Sequence, residues 1–138
     1  MAVARYLADT SVWGRLHRPT VAARFSPLVE AGLVATCGVI DLEMLYSCRS
    51  GQEHRLVRAQ RGGLEWLAMP DEVWDRAMTV QGGLAARGNH RAASLPDLLI
   101  AATAERHAVT VLHYDGDYDL IARVTGQLAE WVVPRGSA

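Results

Sequence analysis

Short apolar runs bounded by turn residues mark strands along this chain, and apolar residues at three- and four-residue spacing mark helices that bury one face. Arg5–Ala8 is the first strand and ends at Asp9. A helix over Thr10–His17 follows and is closed by Pro19. Val21, Phe25, Leu28 and Val29 then line one side of a helix over Val21–Ala31, which Gly32 ends in a left-handed turn. Leu33–Cys37 is the second strand. Gly38 breaks it, and Val39, Leu42, Leu45 and Tyr46 form the stripe of a helix over Val39–Cys48, with Glu43 beside the stripe. The segment "SRSGQEHRLVRAQRGG" opens as a loop, continues as a polar helix and stops at Gly62-Gly63. Leu64–Met69 is a strand of poor pattern, and "PDEVWDRAMTVQGGLAARG" is a helix with Asp71 as its N-cap; the acids Asp71, Glu72 and Asp75 suit the first turn of that helix as dipole partners. A loop over Asn89–Ser94 leads to the apolar helix "LPDLLIAATA", then to a β-rich run over Val109–Tyr114, a helix over Tyr118–Thr125 and a last strand over Trp131–Val133. Strands alternating with helices predict an α/β domain with a mainly parallel sheet.

The length of 138 residues and the absence of any linker or repeat predict a single domain spanning 1–138. No apolar run approaches a membrane span and no cleavable leader opens the chain, so the expected compartment is the cytoplasm with no membrane partner. Cys37 and Cys48 form neither a disulfide framework nor a zinc pattern. A formal net charge of −1 argues against holding nucleic acid by bulk attraction. It does not exclude a nucleic-acid partner. All 14 basic side chains are arginine, whose fork suits phosphate and carboxylate.

The acids change the picture. Ligands of a parallel α/β sheet lie at the carboxyl ends of its strands. Asp9 follows the first strand, Asp115 and Asp117 follow "VTVLHY", Asp97 opens the helix leading into that strand, and Glu43 lies in the helix after the second strand. Taken singly, Asp9 and Asp97 read as helix caps more often than as catalytic groups, Asp115–Asp119 reads as a solvated turn and Glu43 as an acid facing water. Jointly they bring several carboxylates to one sheet edge, where they repel one another and take up protons unless a cation neutralises them. Oxygen ligands without cysteine or spaced histidine favour Mg²⁺ or Mn²⁺ over zinc.

These stretches carry a resemblance. "YLADTSVW", "GVIDLEMLYSC", "LPDLLIAATA" and "VLHYDGDYDLIA" resemble, in order, the acidic motifs of PIN-domain ribonucleases, and the compact size is similar to the VapC-type toxins of bacterial toxin–antitoxin pairs. The resemblance implies a PIN-like three-layer α/β/α domain with a central, mainly parallel sheet of about five strands. It implies Asp9, Glu43, Asp97 and Asp115 as the metal-binding, catalytic acids, with Asp117 as a further acid and Thr10 as a supporting hydroxyl; Asp9, Asp97 and Asp115 are the expected metal ligands, directly or through water, and Glu43 is expected either to bind metal or to orient the attacking water. Tyr118 stands where the family more often has phenylalanine, at a packing position. The implied activity is metal-dependent hydrolysis of RNA to 5′-phosphate and 3′-hydroxyl ends, and the implied partners are a second copy of the chain in a homodimer and a VapB-type antitoxin that blocks the acidic groove. Arg49–Gly88 has no comparable motif.

RNA must also be held. Arg49, Arg55, Arg58, Arg61 and Arg91, with Arg87 and His90, are candidate phosphate contacts, a role that a solvated helix face fits equally well. Three other readings compete: a metal-free ribonuclease using His107 and His113 as acid and base, another metal-dependent phosphoesterase, and a PIN-like binding module with an inactive site.

Overall fold

A computed structural model describes residues 1–138. Its elements run β1 (Tyr6–Ala8), α1 (Thr10–Trp13), α2 (Pro19–Glu30), β2 (Val34–Thr36), α3 (Gly38–Tyr46), α4 (Gly51–Arg61), β3 (Glu65–Trp66), α5 (Asp71–Ala85), α6 (Leu95–Arg106), β4 (Thr110–His113), α7 (Asp117–Thr125) and β5 (Ala129–Trp131). The five strands form one sheet in the order β3-β2-β1-β4-β5, and every neighbouring pair is parallel. No helix is long and apolar enough to cross a membrane.

Strand side chains alternate between two cores. Leu7, Ala35 and Val111 point into the larger one with Ile40, Leu84 and Ile100, whereas Ala8, Val34 and Leu112 point into the smaller one with Val12, Val21 and Phe25. Helices therefore cover both faces, giving the three layers. The larger layer is closely built: a Cβ added at Gly83 on α5 would come within 2.7 Å of Val124 Cγ1 on α7. Only glycine allows that approach.

The order of the strands sets the site. The chain winds outward from β1 to β2 and β3, then returns to the other side of β1 to lay down β4 and β5. Direction reverses between β1 and β4, whose carboxyl ends flank the crevice where such sheets bind ligands.

Several boundaries differ from the sequence expectation. The first helix is a single turn ending at Gly14, because Arg15 to Arg18 continue as turns and Pro19 opens α2 instead of closing α1. Helix α2 continues through Pro27, and Gly32 at φ 72° follows its end. The N-cap of α5 is Pro70; Asp71 is the first helical residue. The last strand is Ala129–Trp131, and Val132 and Val133 follow it buried in the smaller core.

Candidate metal centre

Asp9 leaves β1 at the crevice. Its amide still bonds to Leu112 O across the sheet at 2.9 Å, while its Oδ2 caps α1 by accepting the Ser11 amide at 3.1 Å. Local capping and the parallel ladder thus fix one carboxylate, which is only 2% exposed. Asp97 is placed by a second cap. Ser94 Oγ accepts the Asp97 amide at 3.2 Å, and Pro96 in the first turn sets the helix start, so the Asp97 side chain comes from the amino end of α6 and is 6% exposed. Asp115 follows β4 with its Oδ1 accepting the Asp117 amide at 2.9 Å. Each of Asp9, Asp97 and Asp115 offers an oxygen within 4.8 Å of the others.

Tyr118 joins two of them. Its hydroxyl lies 2.8 Å from Asp9 Oδ1 and 3.1 Å from Asp97 Oδ1. Burial and the adjacent carboxylates hold that hydroxyl well above its ordinary pKa, so it is a proton donor at every working pH. One proton serves two acceptors in turn. Burial pushes the Asp97 carboxyl up to about 8, with Asp9, Asp117 and Asp115 adding to the rise and the Tyr118 hydroxyl opposing it.

Glu43 enters from the second turn of α3. Its Oε1 is buried without a hydrogen-bond partner. Burial raises its pKa, the Asp9 charge raises it further, and the Thr10 hydroxyl works in the opposite direction. Asp117 braces the rim, because its Oδ2 accepts the Ser94 amide at 3.2 Å and so ties α7 to the cap that aims Asp97. The structure brings Asp9, Asp97 and Asp115 together, with Glu43, Thr10 and Asp117 beside them. Clustered carboxylates that retain protons, an orphaned buried carboxylate oxygen and an all-oxygen donor set fit a hard divalent cation.

The basic residues fall out differently. Arg61 is not available to a phosphate: it is buried, its Nε donates to Asp41 Oδ1 at 2.7 Å and its Nη2 to Thr36 Oγ1 at 3.1 Å. The guanidinium also lies over Trp13, 4.6 Å from the ring centroid, so it locks α4 onto α3 and β2. Arg49, Arg55, Arg58 and Arg91, with Arg87 and His90, are exposed.

The two histidines of the metal-free alternative do not meet. His107 lies just past α6, roughly 15 Å along the axis from Asp97, with Nε2 2.8 Å from Ala68 O. His113 is buried between the rings of Tyr118 and Trp131, with centroids 4.9 and 5.0 Å away, and its Nδ1 accepts the Asp115 amide. Burial lowers its pKa, so it stays neutral.

Sequence reasoning missed the role of the Tyr118 hydroxyl. The available signal was a phenol at a packing position, because a buried Tyr O–H needs a partner.

Comparison with known proteins bears on this geometry. Residues 6–124 match the PIN domain family. The chain is 47% identical over 135 residues to Ribonuclease VapC21 of Mycobacterium tuberculosis strain H37Rv, covering 97% of this chain and 98% of that protein. It is 45% identical over 133 residues to Ribonuclease VapC51 of the same strain, covering 96% of each. Its fold is similar to a chain in the crystal structure of DNA-bound VapBC from Salmonella typhimurium, with a TM-score of 0.74 and 15% identity over 95% of this chain and all of that one (100%). A chain of VapBC2 from Rickettsia felis, bound to a promoter DNA fragment, gives 0.71 at 15% identity, covering 91% of this chain and 96% of that one.

Proposed function

This chain belongs to the PIN domain family, and from that premise we propose that it is a metal-dependent endoribonuclease acting as the toxin of a toxin–antitoxin pair. The observation that carries the chemistry is the convergence of Asp9, Asp97 and Asp115 within 4.8 Å at the β1/β4 crevice. These three carboxylates would hold Mg²⁺ or Mn²⁺, which when bound would lower the pKa of a water and offset the charge that grows on phosphate during hydrolysis. The protein's own part is positional and electrostatic. The Ser11 amide and the Tyr118 hydroxyl orient the two oxygens of Asp9, so that carboxylate meets its ligand already aimed. Asp117 keeps the amino end of α6, and Asp97 with it, against the rim. Glu43 Oε1, buried and unpartnered, with a raised pKa, is the acceptor available for a proton leaving the attacking water.

Arg49, Arg55, Arg58 and Arg91 serve as outlying phosphate contacts, and Arg61 serves the fold instead. The relatives named VapC and the structural neighbours solved as VapBC complexes support an antitoxin partner, and the homodimer is carried over from the family resemblance. The reading is tested by incubating the purified chain with a fluorogenic single-stranded RNA. Cleavage should appear with Mn²⁺ or Mg²⁺, vanish with EDTA and return when metal is restored. Cleavage that persists in EDTA, from protein freed of contaminating nuclease, removes the metal from the account.

A further inference from the structure

Beyond β5 the chain does not trail away. Val132 and Val133 are buried, Gly136 N donates to the Tyr114 hydroxyl at 2.7 Å, Ala138 N donates to the same oxygen at 3.3 Å, and Thr20 Oγ1 reaches Ser137 O at 3.4 Å. This fastening lies outside the stretch that matches the PIN domain family, which ends at 124. Its effect is to set Arg135 beside the acids. The guanidinium lies 5.5 Å from the Trp131 ring centroid and covers Gly116, whose added Cβ would meet Arg135 Nη1 at 3.6 Å.

A second arginine faces it. Arg15 lies over Tyr114, 4.5 Å from the ring centroid, and its Nη1 donates to Ser11 O at 2.9 Å. The two platforms brace each other, since Tyr114 and Trp131 pack edge to face with centroids 5.3 Å apart at 85°. Between them opens a cleft of about 490 Å³ whose wall includes Ser11, Arg15, Asp115 and Arg135. The ion pairs of this chain are Arg24–Glu130, Arg61–Asp41 and Arg76–Glu105, so neither Arg15 nor Arg135 is engaged in an ion pair, although Asp115 shares their cleft and Arg135 also lines a neighbouring pocket with Asp115, Asp117 and Asp119.

Two guanidiniums held over aromatic rings have already given up much of their side-chain freedom, and their N–H edges suit charge-assisted hydrogen bonds to a phosphate. The cleft shares Asp115 with the metal centre. A ligand spanning both would present one anionic group to the acids, once a cation neutralised them, and another to the arginines, which describes successive phosphates of one nucleic-acid strand. We propose that Arg15 and Arg135 form a subsite for a non-scissile phosphate of the RNA substrate, next to the scissile position. This inference rests on the ribonuclease reading and gives that reading a direction, with the strand running from the acids across Asp115 towards the C-terminal fastening.

The test measures binding and cleavage separately. Binding of a fluorescein-labelled single-stranded RNA is followed by anisotropy in Mn²⁺ as salt is raised, using the full chain carrying Asp97→Asn so that the probe stays intact. Arg15→Gln and Arg135→Gln are each added to that background, with Arg135→Lys as the conservative variant and Arg106→Gln, at the far end of α6, as the control. Each glutamine variant should weaken binding roughly tenfold and lower the slope of log K against log salt by about 0.7. Arg135→Lys should recover part of the affinity, and Arg106→Gln should change neither quantity. In the cleaving protein the same two substitutions should raise KM with the larger part of the loss there and not in kcat. Unchanged affinity and salt slope in variants that melt like their parent overturn the subsite. Unchanged RNA binding with lost neutralisation by the antitoxin also overturns it, and assigns the arginines to an acidic protein segment. If the wild-type chain cuts no RNA in Mn²⁺ yet binds it through these arginines, the ribonuclease reading falls and the phosphate subsite stands.

Discussion

Tyr118→Phe removes one oxygen and asks whether the hydroxyl belongs to the candidate metal centre or only to the core. The ring should keep its place, because it is 1% exposed and packed against His113. What is lost is the donor between Asp9 Oδ1 and Asp97 Oδ1, at 2.8 and 3.1 Å. A hydrogen bond to a charged acceptor contributes about 1.5–3 kcal/mol. Asp9 retains the Ser11 amide on its other oxygen, and a single phenol proton cannot serve both acids at once. The lower part of that range, about 1.5–2 kcal/mol, is therefore expected, or roughly 5–8 °C in the melting temperature of the metal-free protein. A purely structural phenol would stop there. If the hydroxyl orients a metal-binding carboxylate, its loss should also weaken metal binding by roughly tenfold or more, as loss of outer hydrogen-bonding partners does elsewhere. The assay pairs melts with and without Mn²⁺ with cleavage across a Mn²⁺ titration. The half-saturating Mn²⁺ concentration should rise and the Mn²⁺-induced gain in melting temperature should shrink. A variant that melts lower but keeps the wild-type Mn²⁺ half-point would refute the orienting role.

Three further outcomes follow from the same geometry. Asp97, pushed up to about 8, and Glu43, also raised, keep protons in the folded metal-free protein that the unfolded chain releases at lower pH. Metal-free stability should consequently fall as pH rises from the ordinary carboxylate range towards 8, by at most about 1.4 kcal/mol per pH unit for each proton; saturating Mn²⁺ should flatten the curve, and a flat metal-free melting profile would count against the clustered charges. Arg61→Ala strands Asp41 and Thr36 around a buried gap and should cost about 2–4 kcal/mol, given that the Asp41 side chain keeps 20% exposure. RNA affinity measured below the variant's melting range should be unchanged, and a selective loss of RNA binding would return Arg61 to the substrate groove. Gly83→Ala forces a methyl into Val124 and should cost about 1–3 kcal/mol with the metal half-point intact, measured by melts and Mn²⁺ titration.

The acids were legible in the sequence because their placement follows from a rule about parallel sheets: residues just after strands, and at the starts of returning helices, arrive at one edge. Asp9, Asp97 and Asp115 needed only correct strand and helix types, not correct boundaries. Arg61 was illegible for the opposite reason. On a polar helix it shares its composition with Arg55 and Arg58, and only the fold-back of α4 shows that it alone faces Asp41, Thr36 and Trp13. The short α1 was misread because Pro19 serves equally as the end of one helix and the start of another, and the tertiary position of α2 decides between them. Strand β3 pairs through Glu65–Trp66 alone, at the sheet edge, too briefly to leave a pattern. The fastening of the C-terminal segment depends on backbone amides meeting Tyr114, which no side-chain pattern announces.

The most direct test of the central claim is the rate of RNA cleavage in Mn²⁺ by Asp97→Asn, measured beside Asp75→Asn. Both variants replace one carboxyl group with an amide, but Asp75 is exposed on α5 whereas Asp97 is buried among Asp9, Asp115 and Tyr118. The Ser94 cap that positions residue 97 bonds its backbone and survives the change. Asp97→Asn should therefore fold, with a metal-free melt equal to or above the wild type, because the neutral amide avoids the cost of holding a proton on a buried carboxyl that the unfolded chain would ionise. Its cleavage should drop by roughly a hundredfold or more, while Asp75→Asn cuts at the wild-type rate. A folded Asp97→Asn protein cutting RNA as fast as Asp75→Asn would contradict the account, because the three converging carboxylates would then not be the site of hydrolysis.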